Sequence, residues 1–91
     1  MAQTFHYLIS YDIGDPKVLR KVAKYLEGEG VRLQKSVFLV RCPQHRLNRI
    51  RDKLATMVGQ QHHVIILPLC KRCFHQGSFL GAAPEPCWVI D

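Results

Sequence analysis

Apolar and polar positions alternate at the start of the chain. Phe5, Tyr7, Ile9 and Tyr11 fall on one side, and His6, Leu8, Ser10 and Asp12 on the other. Aromatic and β-branched residues at period two predict a strand with one well-buried face. Gly14-Asp15-Pro16 stops this strand and starts a helix. Asp15 can accept hydrogen bonds from the first free amides, and Pro16 suits the first helical position, where its missing N–H has no partner. Leu19, Val22, Ala23 and Leu26 then recur at helical spacing and form an apolar stripe, with Lys17, Lys21 and Lys24 on the opposite side. Gly28 and Gly30 end the helix. The stretch from Val31 to Arg41 is too long for one comfortable strand. It reads as Val31–Gln34 and Val37–Arg41 joined near Lys35-Ser36, with a single bent strand as the alternative because no Asn-Gly or Asp-Gly turn is present. Pro43 opens a second helix reaching Val58, with Leu47, Ile50, Leu54 and Met57 inward and Arg46, Arg49 and Lys53 outward. Gly59 stops it. His63 to Leu69 is a continuous apolar run, the pattern of a central buried strand, with Pro68 limiting pairing near its end.

The order strand, helix, two strands, helix, strand predicts an α+β fold. Right-handed crossovers give the ferredoxin-like βαββαβ arrangement, a four-stranded antiparallel sheet with two helices on one face. The other face keeps apolar residues, which predicts packing on a second copy. Ninety-one residues make one domain. Its core is 1–75, and residues 76–91 form a Gly/Pro-rich tail ending in a short strand, Cys87-Trp88-Val89-Ile90-Asp91. That strand is expected to add to the edge of its own sheet or its partner's. The size excludes a two-domain enzyme with a deep interdomain cleft. No run approaches the ~18 apolar residues of a membrane span, and Met1-Ala2-Gln3-Thr4 lacks the features of an export signal. A cytoplasmic protein without membrane contact is the expectation.

Charge adds a partner class. Thirteen Lys and Arg stand against seven Asp and Glu. Residues 17–53 hold eleven bases and three acids, a local net of +8. A positive field clustered in this way attracts polyanions, nucleic acid above all, although a merely solvated face is the bland alternative.

Asp12 is the most informative candidate for chemistry. It follows the apolar alternation and precedes a glycine turn, where a carboxylate can coordinate a hard cation such as Mg²⁺. One carboxylate makes a poor site. In a two-fold dimer, two Asp12 side chains facing each other would repel, and a shared divalent ion would relieve the repulsion. The competing reading is a turn cap through an Asx interaction. Four cysteines without an export signal point to a reducing compartment and free thiols. Cys70-Lys-Arg-Cys73-Phe-His75 contains a CxxC, but no second pair completes a zinc site. A redox role would need the motif between a strand and the start of a helix, and the following Gly77 and Gly81 argue against one. His62 and His63 read as exposed, and His6, His45 and His75 have no evident carboxylate partner.

Tyr7-Leu-Ile-Ser-Tyr-Asp-Ile13, the basic helix, and Gly30-Val-Arg-Leu-Gln-Lys-Ser-Val-Phe38 together resemble the small CRISPR-associated adaptation family called "Cas two". The resemblance implies a ferredoxin-like homodimer whose first-strand Asp residues approach each other at the two-fold axis. It implies a Mg²⁺-dependent endonuclease acting on RNA or DNA, with Asp12 as catalytic residue and metal ligand. It further implies a dimer that bridges the CRISPR integrase, the first universal adaptation protein, on double-stranded DNA, with single-stranded RNA as the other substrate class. Arg32, Gln34, Ser36 and Phe38 match the family's second motif. Arg20 and Lys21 lie near its first-helix arginines, with only Lys21 in register. Lys17, Arg20, Lys21, Lys24 and Arg32 are the expected nucleic-acid contacts. Phe38 reads equally as core, and Gln34 and Ser36 as hairpin hydrogen bonders. The alternatives are a non-enzymatic nucleic-acid scaffold and a zinc-stabilised RNA-binding module.

Overall fold

The period-two alternation folds into strand β1, Thr4–Asp12, with Tyr7, Ile9 and Tyr11 buried. The computed structural model describes residues 3–78, 80 and 81. Helix α1, Pro16–Glu27, starts as expected: Asp15 Oδ1 accepts from the Lys17 amide at 2.8 Å. Its buried stripe differs from the expectation. Val22 and Leu26 are buried and Val18 and Tyr25 pack on the core, whereas Leu19 stays 37% exposed. The stripe is centred on the Val18–Val22–Leu26 row, so Leu19 sits on its margin, toward Arg20.

Two strands follow, β2 (Val31–Gln34) and β3 (Val37–Pro43), so the bent-strand alternative is not what forms. The register slips between Arg32 and Gln34. Helix α2, Gln44–Val58, buries Leu47, Ile50 and Leu54. Pro43 stands just outside it as the N-cap and closes β3. Strand β4 is His63–Leu69.

The sheet order is β2-β3-β1-β4, antiparallel throughout. The core lies between this sheet and helices α1 and α2, and it includes Phe38, Val40 and Cys42 of β3. One expectation is corrected here. The apolar run 63–69 is an edge strand, not a central one. Val64 and Ile66 reach the core, while Ile65 and Leu67 turn to the other face and remain 54% and 50% exposed. An edge strand reads as apolar on both faces when both faces are to be covered, and Pro68 is tolerated because an edge leaves one side unpaired.

The outer face carries an apolar row. Val31 opposes Leu39, Leu39 opposes Leu8, and Leu8 opposes Leu67. At one end of this face the chain turns back. Helix α3, Lys71–Gln76, places Phe74 on the His6 ring, with centroids 3.9 Å apart and planes 13° from parallel. The Cys70–Cys73 motif therefore lies between a strand and a helix, contrary to the glycine argument: Gly77 is only the helix's C-cap. The expected strand at 87–91 lies outside the described residues. Among the described residues no helix is long and apolar enough to cross a membrane.

Candidate active site

Asp12 ends β1 on the outer sheet face, between buried Tyr11 and Ile13. Its side chain is exposed and has no hydrogen bond or ion pair among the described residues. The turn-cap reading is thus not realised, and Asp15 alone caps the helix. A carboxylate left with all its lone pairs suits a hard cation. Mg²⁺ is commonly held by one or two carboxylates, completed by waters and substrate phosphates. A single chain offers one carboxylate here, and among the described residues no three His, Cys, Asp or Glu groups cluster as a metal site. The donor set therefore fits half of a two-carboxylate site.

Asp12 borders a cleft of about 480 Å³, together with Arg20, Arg32, Lys35 and Ser36. Three cations beside one carboxylate give the cleft donors that could meet a phosphate group, since charge-assisted hydrogen bonds to phosphate are the strong ones. Leu19 and Tyr11 supply its apolar lining.

Local contacts hold this cleft in shape. The Arg32 guanidinium donates to Glu27 at 3.0 Å and stands 5.1 Å from the centroid of the Phe38 ring. Phe38 is fully buried, so it is a core residue whose ring face also orients Arg32. Tyr11 fastens the β2–β3 turn twice: its amide donates to the Ser36 carbonyl at 3.0 Å and its hydroxyl to the Lys35 carbonyl at 3.1 Å. Burial raises the Tyr11 pKa, which keeps that hydroxyl protonated as a donor. Ser36 thus serves through its backbone. Gln34 is exposed, on the irregular side of the turn, and does not line the cleft.

The remaining candidates stand apart. Lys17, Lys21 and Lys24 are exposed along α1 and do not line the Asp12 cleft. Arg46 leaves the basic surface of α2, because Glu29 binds it at 2.7 and 3.0 Å. The zinc reading loses a ligand, since Cys42 is buried in the core while Cys70 and Cys73 are exposed.

Sequence reasoning passed over two residues. His63 is the cross-strand partner of Asp12, and directly opposed residues have Cβ atoms about 4.5–5.5 Å apart. Lys35 joins the cleft through the turn. Neither has a local signal, because strand pairing is a long-range property.

Comparison with known proteins places this geometry in a family. The family model for CRISPR associated protein Cas2 matches residues 5–76. The chain is 35% identical over 82 residues to the CRISPR-associated endoribonuclease Cas2 1 of Chloroflexus aurantiacus, covering 88% of each chain. It is 40% identical over 77 residues to the CRISPR-associated endoribonuclease Cas2 2 of Nitrosomonas europaea, covering 79% of this chain and 68% of that one. Its fold superposes on the crystal structure of Streptococcus pyogenes Cas2 with a TM-score of 0.74 at 27% identity, covering 84% of this chain and 99% of that one. With its ferredoxin-like sheet and an aspartate at the end of the first strand, the chain belongs to the CRISPR-associated Cas2 family.

Proposed function

We propose that this chain works as a homodimer in CRISPR spacer acquisition, where it binds nucleic acid, bridges the integrase partner and cleaves phosphodiester bonds at a site built on paired Asp12 residues. The observation that carries the reading is the exposed Asp12, without a partner among the described residues, at the rim of a cleft lined by Arg20, Arg32 and Lys35. The relatives named as endoribonucleases support the activity.

Dimerisation rests on the outer sheet face. Ile65 and Leu67 are half exposed beside Leu8 and Leu39, and an apolar patch of this kind is normally covered. A second copy packed there brings the two Asp12 side chains, which lie on the same face, toward each other. The two Asp12 carboxylates are the residues that would hold Mg²⁺. Bound there, Mg²⁺ would supply Lewis-acid stabilisation of phosphate charge and a more acidic water. Arg32 and Arg20 bind the non-bridging oxygens and counter the charge that develops on them. Glu27 and Phe38 keep Arg32 aimed, and Tyr11 fixes the turn that carries Lys35.

A second, separable role belongs to the lysine face of α1. Lys17, Lys21 and Lys24 form an exposed row that meets a duplex backbone without chemistry. On this face the dimer acts as a scaffold for double-stranded DNA.

The test uses purified wild type and Asp12→Asn, each shown to be dimeric by sedimentation, with labelled single-stranded RNA and duplex DNA and added magnesium. Wild type is expected to cleave and Asp12→Asn to bind without cleaving. Equal magnesium-dependent cleavage by the two proteins would overturn the catalytic assignment. Absence of cleavage with retained duplex binding would leave the scaffold role alone.

A further inference from the structure

Cys70 and Cys73 take no part in the site described above. β4 ends at Leu69, Cys70 follows, and α3 begins at Lys71, so the two thiols share a single turn of backbone. Both are reduced and exposed, whereas Cys42 is buried in the core. The Cys73 amide donates to Cys70 Sγ at 3.3 Å, which holds the Cys70 sulfur over the turn that carries Cys73. Helix geometry puts Cα atoms three residues apart at about 5 Å, inside the disulfide range of about 4.4–6.8 Å. Only Lys71 and Arg72 intervene, so closing the ring costs little entropy.

The surroundings distinguish the two thiols. Cys70 lines a cleft of about 540 Å³ with Phe5, His6, Arg41 and Lys71, and a second one beside Pro68 and Gln44. Cys73 lines neither. The larger cleft is wide enough for a small molecule, and its two cations select an anionic one. Hydrogen bonds from the Cys73 amide and thiol hold the Cys70 pKa below that of an ordinary thiol, while the same thiol contact pushes Cys73 up. The thiol that lines the cleft is thus also the one with the larger thiolate fraction.

We propose that Cys70 and Cys73 form a reversible redox couple that exchanges with an anionic low-molecular-weight disulfide, Cys70 attacking and Cys73 resolving. The Cys70 thiolate attacks one sulfur of the disulfide RSSR. A Cys70–S–S–R bond forms, the R–S–S–R bond breaks, and RS⁻ leaves. Cys73 then gives its proton to solvent and attacks Cys70 Sγ, releasing a second RS⁻. The protein loses two electrons and two protons, and the disulfide gains them as two RSH. An exposed disulfide across so short a loop is of the labile kind, which thiol reductants reverse. The proposal stands independently of the nuclease reading.

The full chain is equilibrated with oxidised and reduced glutathione, alkylated, and mapped by peptide mass. An intramolecular Cys70–Cys73 disulfide is expected, reversed by reduced glutathione. Cys73→Ser is expected to arrest at a glutathione adduct on Cys70. Cys70→Ser is expected to react at about one tenth of the wild-type rate or slower, the thiolate being the reacting species. Circular dichroism verifies that both variants are folded. The proposal is overturned if both thiols stay open to alkylation at the most oxidising ratio, if the Cys73→Ser adduct maps to another cysteine, or if Cys70→Ser reacts as fast as wild type. Equal rates with glutathione disulfide and the uncharged hydroxyethyl disulfide would remove the anion preference.

Discussion

Gly30→Ala is expected to weaken the fold sharply, because this glycine sits where two chain segments touch. It lies between α1 and β2, and its φ is not in the left-handed region, so the constraint is space rather than conformation. A Cβ there would overlap the Leu39 carbonyl oxygen, come within 2.8 Å of Val40 Cγ2 and lie 3.1 Å from the Leu39 carbonyl carbon. Two of the three are backbone atoms of β3, which is paired on both sides with β1 and β2 and cannot yield cheaply. Relief must come from displacing β2, the strand that carries Arg32. Overpacking costs about 1–3 kcal/mol in typical cores, and a clash against fixed backbone belongs at the upper end, about 3 kcal/mol. For a domain of this size, 1 kcal/mol corresponds to roughly 4–8 °C in Tm, so a fall of roughly 12–24 °C is expected. Urea and thermal unfolding of both proteins at one fixed chain concentration measure it, since dimer dissociation makes Tm concentration-dependent. A change below about 0.5 kcal/mol would refute the reasoning, because surface positions behave in that way. Weaker Arg32-dependent nucleic-acid binding should accompany the destabilisation.

Other consequences can be checked separately. The Lys17→Ala/Lys21→Ala/Lys24→Ala variant should flatten the slope of log K against log salt for duplex DNA by about 0.9 for each phosphate that is no longer neutralised; an unchanged slope would mean that the duplex lies elsewhere. Leu67→Glu, at a half-exposed position, should fold but sediment as a monomer; an intact dimer would show that the outer sheet face is not the interface. Burial, helped by Arg41 and His75, holds the His6 pKa below 6.5. The unfolded chain therefore takes up this proton more readily, and His6 contributes stability above pH 6.5 that is lost as the pH falls below it. His6→Phe keeps a ring against Phe74 and should remove that part of the pH dependence in urea midpoints between pH 7.5 and 5.5. Identical slopes in the two proteins would contradict it. Tyr11→Phe, which leaves the Lys35 carbonyl without its donor, should cost about 0.5–1.5 kcal/mol, measured by urea unfolding; an unchanged stability would show that the turn is held without it.

Local signals carried most of this fold. The alternation of β1, the Asp15-Pro16 helix start and the Leu47–Ile50–Leu54 stripe each depend on neighbours in sequence, and each formed as the pattern requires. What local patterns could not convey was position within the sheet. An apolar run looks the same in a central strand and in an edge strand whose second face awaits a partner, which is why β4 reads as central. Helix α3 escaped because six residues are too few to show a helical period, and the ring it stacks on through Phe74, His6, comes from the other end of the chain. The active-site candidates divide in the same way. Asp12 stands out by interrupting a pattern. The cations that join it come from α1, β2 and a turn, and His63 faces it only through strand pairing.

The proposal that two chains share an Asp12 site can be tested by subunit mixing. Wild type and Asp12→Asn are unfolded together at equal concentration, refolded so that chains pair at random, and assayed for magnesium-dependent cleavage at constant total protein. If both carboxylates are required, only the wild-type pairs are active, and activity should fall to about one quarter, the share of such pairs in a two-fold dimer. A fall to only about one half would mean that each chain acts alone, and would contradict a site held between two Asp12 side chains.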